Sequence, residues 1–209
     1  TYNYNIAGAA INTITNSTSA ATDELINSTT YRAGNVTGDT AAVINGAVKS
    51  VTTYAGPEGE EKAQKTFNYD YAGLAVKTTT IFSYAATDEL TLSVTYRGNV
   101  SEASIALADA ASKVRKSVTT YTGPEAEEKA DKTYNYNFEG TTIKTITSFF
   151  YPEGVLSSSN TNRAGNVTGD TALVTLGNMK SITNYIGNEG EEKALVTYNY
   201  NFDGDAIKT

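Results

Sequence analysis

Cysteine, histidine and tryptophan are absent from this 209-residue chain, and proline occurs only three times. Without cysteine there are no disulfides, and the redox compartment cannot be read from the sequence. Without histidine there is no Ser-His-Asp or Cys-His arrangement and no imidazole metal ligand. No glycine-rich phosphate-cradling loop is present. No run approaches the ~20 apolar residues of a membrane-spanning helix, so membrane insertion is not expected. No leader peptide is visible either, which carries no information because Thr1 opens in the middle of a repeat. The net charge of −7 opposes nucleic-acid binding, since phosphates need a basic surface. Arg32, Arg97 and Arg163 recur singly and make no basic patch.

What is present repeats. Thr-Tyr-Asn-Tyr-Asn at Thr1 returns as Thr66-Phe67-Asn68-Tyr69-Asp70 and again at Thr133 and Thr197, at intervals of 65, 67 and 64 residues. Gly56-Pro57-Glu58-Gly59-Glu60-Glu61-Lys62-Ala63 returns at Gly123–Ala130 and Gly187–Ala194, and Lys49-Ser50-Val51-Thr52-Thr53-Tyr54 at Lys116–Tyr121 and Lys180–Tyr185. The chain therefore divides into units 1–65, 66–132 and 133–196, with 197–209 opening a fourth, in one continuous array. Residues 1–13 match 197–209 along their length. A repeat array gains its core by stacking neighbours, so its expected work is to span, display or assemble, and the expectation is that it is not an enzyme.

The composition suits strands. Tyr (15) outnumbers Phe (6), and Thr, Ser, Asn and Gly are abundant. Ile11–Thr15, Ile26–Tyr31 and Val48–Tyr54 look like variants of one strand. Three of them per unit predict a sub-repeat of roughly 20 residues, made of two strands and two turns. Asn45-Gly46 is the expected turn of a hairpin between 40–44 and 48–54. Ala72-Gly73, Glu139-Gly140 and Asp203-Gly204 mark further turns. Phe67, Tyr69 and Tyr71 alternate along one expected strand, and Leu74, Val76, Phe82 and Tyr84 along the next. Single helical turns are expected at 57–62 and 124–129. The Ala-rich stretch 101–113 is expected to be strand, because its counterparts 37–46 and 168–177 read as turn and strand.

Tyr69-Asp70-Tyr71-Ala72-Gly73, with its Asn-bearing versions at Tyr4–Gly8, Tyr136–Gly140 and Tyr200–Gly204, resembles the YD repeat of RHS and teneurin proteins. In that motif a Tyr-Asp-x-x-Gly turn joins the strands of a long hairpin strip, Asn or Asp bonding the turn backbone and Gly supplying positive φ. The resemblance covers about one hairpin per unit. It implies a large extracellular or cell-surface scaffold with no catalytic activity.

Several recurring residues are candidate sites. Glu58, Glu60 and Glu61 recur as Glu125, Glu127 and Glu128 and as Glu189, Glu191 and Glu192. Stacked in register they would form a carboxylate stripe suited to Ca²⁺, which prefers oxygen ligands. The competing reading is a solvated turn offset by Lys62, Lys129 and Lys193. Asn35, Asn99 and Asn166 head glycosylation sequons at one repeat position, with further sequons at Asn16 and Asn27, although a Thr- and Asn-rich chain produces such triplets by chance. The pairs Thr13/Thr15, Thr78/Thr80 and Thr145/Thr147 would share a face, but unequal strand intervals disfavour an ice-binding lattice. The Tyr row (Tyr2, Tyr4, Tyr69, Tyr71, Tyr134, Tyr136, Tyr198, Tyr200) is either a surface that stacks sugars or, more often, a cross-strand aromatic seam.

The sequence thus predicts an all-β, elongated hairpin array, a β-solenoid or spiralling antiparallel sheet with a unit of about 65 residues. The expected function is that of an extracellular structural repeat protein, forming a rod, filament or surface sheath and associating with itself end to end by strand addition. The alternative is a carbohydrate-binding adhesin module recognising surface glycans. No cofactor is expected apart from the Ca²⁺ option.

Overall fold

The computed structural model describes residues 1–5 and 7–208. Ile6, within the expected turn at 4–8, and Thr209, within the 197–209 match, lie outside the described residues. The fold is all-β. Its strands are β1 (Tyr2–Tyr4), β2 (Ile11–Ser19), β3 (Leu25–Ala33), β4 (Asn45–Ala55), β5 (Lys62–Tyr69), β6 (Val76–Tyr84), β7 (Leu90–Arg97), β8 (Arg115–Thr122), β9 (Lys129–Tyr136), β10 (Ile143–Phe150), β11 (Ser158–Ala164), β12 (Leu176–Ile186) and β13 (Lys193–Asn199). They form one antiparallel sheet whose strand order is the chain order, with β1 and β13 as its edges, so the sheet is not closed into a barrel. Chain contacts divide it into two compact units, Thr1–Phe82 with Thr95–Lys113, and Ser83–Val94 with Val114–Thr209.

The most regular local device is the turn between the Tyr-bearing strand and the next. The carboxamide oxygen of Asn5 accepts from Ala9 N at 2.9 Å and Ala10 N at 3.3 Å. Asp70 does the same for Leu74 and Ala75, Asn137 for Thr141 and Thr142, and Asn201 for Asp205 and Ala206. In each, the Gly three residues on donates to the carbonyl of that Asn or Asp and sits at positive φ, 74° at Gly73. A short polar side chain thus supplies the bonds that the reversing backbone would otherwise lack, as the Asx-x-x-Gly reading anticipates.

Threonine pairs tie the strands. Thr15–Thr30, Thr52–Thr66, Thr80–Thr95, Thr119–Thr133, Thr147–Thr161 and Thr183–Thr197 each join hydroxyl to hydroxyl at 2.9 Å across neighbouring strands. Such pairs contribute about 0.2–1 kcal/mol each. A second recurring bond joins the strand before the acidic turn to the strand preceding it. Tyr54 meets the buried Ser28 hydroxyl at 3.0 Å, and Tyr121–Ser93 and Tyr185–Ser159 follow at 3.1 Å. The apolar core is thin. In the first compact unit Ile11, Ile14, Ile81, Tyr96, Val100 and Ala108 are buried; in the second, Val94, Val118, Tyr136, Ile143 and Ile146.

Five expectations need correction. Each stretch from one Thr-Tyr-Asn-Tyr segment to the next holds four strands, β1–β4, β5–β8 and β9–β12, where three hairpins were expected. Asn45-Gly46 does not turn; both residues begin β4. The reversal occurs earlier, and Gly46 is required because a Cβ there would lie 2.9 Å from Arg32 O and 3.0 Å from Gly34 Cα. The 57–62 and 124–129 segments are tight turns, not helical ones, closed by Glu60 N donating to Pro57 O and Glu127 N to Pro124 O, each at 3.0 Å. Tyr71 and Leu74, expected in strands, are exposed in the turn between β5 and β6.

The fifth correction concerns 101–113, which contains a helix, α1 (Ile105–Ala110), where strand was expected. Two sequence differences accompany the helix: an Ala is missing after Arg97, and the Ala-rich stretch beyond makes Arg97–Lys116 two residues longer than Arg32–Lys49 and Arg163–Lys180. Arg32-Ala33-Gly34-Asn35-Val36 and Arg163-Ala164-Gly165-Asn166-Val167 have an Ala that Arg97-Gly98-Asn99-Val100 lacks. A one-residue slip turns side chains to the opposite face. Val36 and Val167 are 93% and 90% exposed, whereas Val100 is fully buried. The chain beyond it then forms the helix, with the Ser104 hydroxyl capping Leu107 N at 3.4 Å and Asp109 accepting from Tyr96 at 2.8 Å.

Two substitutions test these backbone arguments. A Cβ on Gly169 would stand 2.3 Å from Thr141 O, so Gly169→Ala should destabilise the fold by about 1–3 kcal/mol in urea unfolding. At the third residue of the tight acidic turn, Gly59 and Gly190 take φ of 81° and 80°, while Ala126 is held at 69°. Ala126→Gly should therefore stabilise by about 1 kcal/mol, read as a raised melting midpoint.

Candidate functional site

The acidic turns divide their carboxylates by role. Glu58, Glu60, Glu125, Glu127, Glu189 and Glu191 are exposed, whereas Glu61, Glu128 and Glu192 are half-buried. The half-buried member is a latch on the backbone two strands away in sequence. Glu61 accepts from Leu25 N at 2.8 Å, Glu128 from Leu90 N at 2.7 Å and Glu192 from Leu156 N at 3.2 Å. Glu61 also accepts from Gly59 N at 3.0 Å, closing its own turn. The Leu25 N–H bond is the main cause that lowers the Glu61 pKa; backbone N–H bonding, including that of Leu156, lowers that of Glu192, helped by the Lys129 charge. The matched Leu at 25, 90 and 156 was the sequence signal for this latch, and the sequence reading missed it.

Among the described residues no three His, Cys, Asp or Glu side chains gather in a way that would hold a metal ion. The acidic trios stand at three separate turns, and one carboxylate of each is taken by the backbone latch. Lys129 reinforces the turn of the third unit: its ammonium donates to Gly154 O and pairs with Glu189, both at 2.5 Å. Tyr151, 5.9 Å below the same ammonium, has its hydroxyl pKa raised first by burial and then by the Glu192 charge.

The sequon loops follow two designs. In the first unit Asn35 accepts from Ile44 N at 3.0 Å and donates through Nδ2 to Ala42 O at 3.0 Å. Asn166 repeats this with Thr175 N at 2.9 Å and Leu173 O at 3.0 Å. Both are exposed, and both brace the long loop before β4 and β12. Asn99 is exposed as well but lies in the helical variant, so the three sequons do not share one environment. Asn16 and Asn27 lie inside β2 and β3. The loop's second Gly approaches the neighbouring hairpin, where Gly169 O accepts from Tyr136 at 2.8 Å and Gly38 O from Tyr4 at 3.3 Å.

The helical variant contains a charged group that the sequence reading overlooked. Lys65 is only 9% exposed, and its ammonium donates to three carbonyls, Val100 O at 3.3 Å, Ser101 O at 3.1 Å and Glu102 O at 2.6 Å. Burial pushes its pKa down and the Glu102 charge opposes the shift. Glu102 in turn pairs with Lys113 at 3.2 Å, and its Oε2 is buried without a hydrogen-bond partner. Three carbonyls around one ammonium make this a structural clamp on 100–102.

Of the Tyr row, Tyr136 is buried, Tyr69, Tyr134 and Tyr200 are half-buried, and Tyr2, Tyr4, Tyr71 and Tyr198 are exposed. The most exposed aromatics are the turn residues Tyr71, Phe138 and Phe202. Arg32 stacks 5.2 Å from the Tyr71 ring centroid and Arg163 5.2 Å from that of Phe202, each Arg also donating to a strand carbonyl, Val48 O at 2.9 Å or Met179 O at 2.8 Å. No protein-family model matches the sequence, and no curated protein matches it.

The latches give stability an acid limit. A glutamate whose folded pKa is lowered contributes stability that is fully present above its unfolded value, about 4.3, and lost as pH falls through the folded value. Urea unfolding followed from pH 7 to pH 3 should show midpoints falling in that lower window, and the fall should be shallower in a Glu61→Gln, Glu192→Gln variant.

Proposed function

We propose that this chain is a structural repeat protein, a segment of an extracellular rod, filament or surface sheath built on a unit of about 65 residues that winds as a solenoid or spiralling sheet. The observation that carries the reading is the recurrence of one set of bonds at matched positions: four Asx turns, three glutamate latches, three Tyr–Ser bonds and the threonine pairs. In these sets each recurring Asn, Asp, Glu, Tyr, Ser or Thr holds a turn or a register. The extracellular setting rests on the YD-repeat-like turns.

The repeat supports self-association by strand addition. Both edge strands, β1 and β13, are Thr-Tyr-Asn-Tyr strands. Inside the array such a strand, β5 or β9, pairs with the strand before the acidic turn on one side and the Asx-turn strand on the other. The same pairing gives a segment of this repeat, from the same polypeptide or from a second copy, a matched partner at an edge.

Electron microscopy of the purified chain at high concentration tests this. Long uniform threads are expected, and removal of residues 1–13 should abolish growth. Threads that form only with Ca²⁺ would assign the ion to the acidic turns. Isolated particles under every condition would overturn the assembly reading.

A further inference from the structure

Two clefts open at matched places in the chain. One, of about 440 Å³, is lined by Ile143, Lys144, Arg163, Val167, Lys180 and Phe202 among others. Its counterpart, of about 340 Å³, has Ile11, Asn12, Arg32, Val36 and Tyr71 in the corresponding positions. Each lies within one compact unit. In both, a buried Ile stands opposite an Arg-backed aromatic of the Asx turn, and the exposed Val of the sequon loop is a wall. The amide bonds of Asn35 and Asn166 brace that loop and so hold the wall in place. In the second unit the equivalent Val100 is buried, so the wall is not raised there.

The two clefts differ in charge. The larger one has Lys144 where the smaller has Asn12, and it also includes Lys180, whose sequence counterpart Lys49 does not line the smaller cleft. Three cations therefore meet in one cleft of a chain whose net charge is −7. Among the described residues no carboxylate lines it. Arg163 is fixed by its bond to Met179 O, which uses one of its five N–H donors. Phe202 is 74% exposed although one face is backed by Arg163, leaving ring surface for a ligand. An exposed ring beside a fixed guanidinium and two exposed ammonium groups suits a molecule with a rigid apolar face and a carboxylate on the same small frame. The volume falls in the range of small-molecule sites. An acidic peptide has carboxylates but no rigid apolar face, and nucleic acid is disfavoured by the overall charge.

We propose that this cleft binds an acidic saccharide of the uronate type, the pyranose face against Phe202 and the carboxylate among Lys144, Arg163 and Lys180. The site is independent of the structural reading: a rod can carry it, and so can a monomer. It also places sugar recognition at the turn aromatic and not at the Tyr row.

The test is calorimetric and NMR titration of the full chain, at low salt, with tetragalacturonate, its fully methyl-esterified form and a tetraglutamate peptide. One site is expected for the uronate, with shifts at Gly165, Val167 and Phe202. Affinity should fall at least tenfold in Lys144→Gln, Lys180→Gln and in Phe202→Ala. These side chains are exposed, so thermal melting should confirm that both variants stay folded. Absence of binding, equal binding of the methyl ester, equal binding of the peptide, or unchanged affinity in the folded variants would each overturn the proposal. None of these outcomes bears on thread formation, so the two readings fail separately.

Discussion

A sheet with so thin an apolar core cannot fix its register by packing alone, and the rest of the structure depends on how that constraint is met. The answer is polar. Asx side chains close one class of turn, glutamates bond a backbone N–H at or just before the start of another strand, and threonine hydroxyls pair across strands at a constant 2.9 Å. Individually such bonds are weak. Their value lies in direction, since each is satisfied only when one particular residue stands opposite, whereas apolar burial tolerates slippage. A one-residue register error would leave the Ser28, Ser93 and Ser159 hydroxyls buried without their Tyr partners.

The second unit shows what happens when the local rule changes. With one Ala fewer beside Arg97, Val100 turns inward, and the longer Ala-rich segment beyond it forms a capped helix in place of the open loop. The Lys65 clamp on three carbonyls belongs to this variant alone, because it needs the inward-turned chain to present them. The same change removes the wall of the cleft found in the first and third units. The second repeat thus fills what the other two leave open, through the missing Ala and the longer Ala-rich stretch that follows it.

Much of this was legible in the residues. The Asx-x-x-Gly turns follow from side-chain chemistry and the positive φ that Gly allows, and the strand class follows from Thr and Tyr content with alternation. Strand number was not legible, because the long 34–44 and 165–175 loops contain the β-branched residues that make a strand reading attractive, while Asn35 and Asn166 hold them as loops. Asn45-Gly46 misled for a related reason. Its Gly serves close backbone approach to Gly34, a tertiary demand with no local signature. The roles of Glu61, Glu128 and Glu192 required knowing which strand passes beside which turn. The missing Ala was visible, but its effect needed the face of Val100.

Strand order that equals chain order has a kinetic consequence. Every strand finds its partner in its immediate sequence neighbour, so no pairing has to wait for a distant segment to be synthesised. Contact order is low for an all-β chain, a class that is ordinarily slow to fold because its pairings are non-local. Such a sheet can grow by one strand at a time at its C-terminal edge as the polypeptide emerges. Near-identical repeats also invite mispairing with the wrong copy, and here the helix-bearing second unit acts as a landmark. An out-of-phase pairing would have to align its longer, helix-bearing connection with the shorter loops of the other two units.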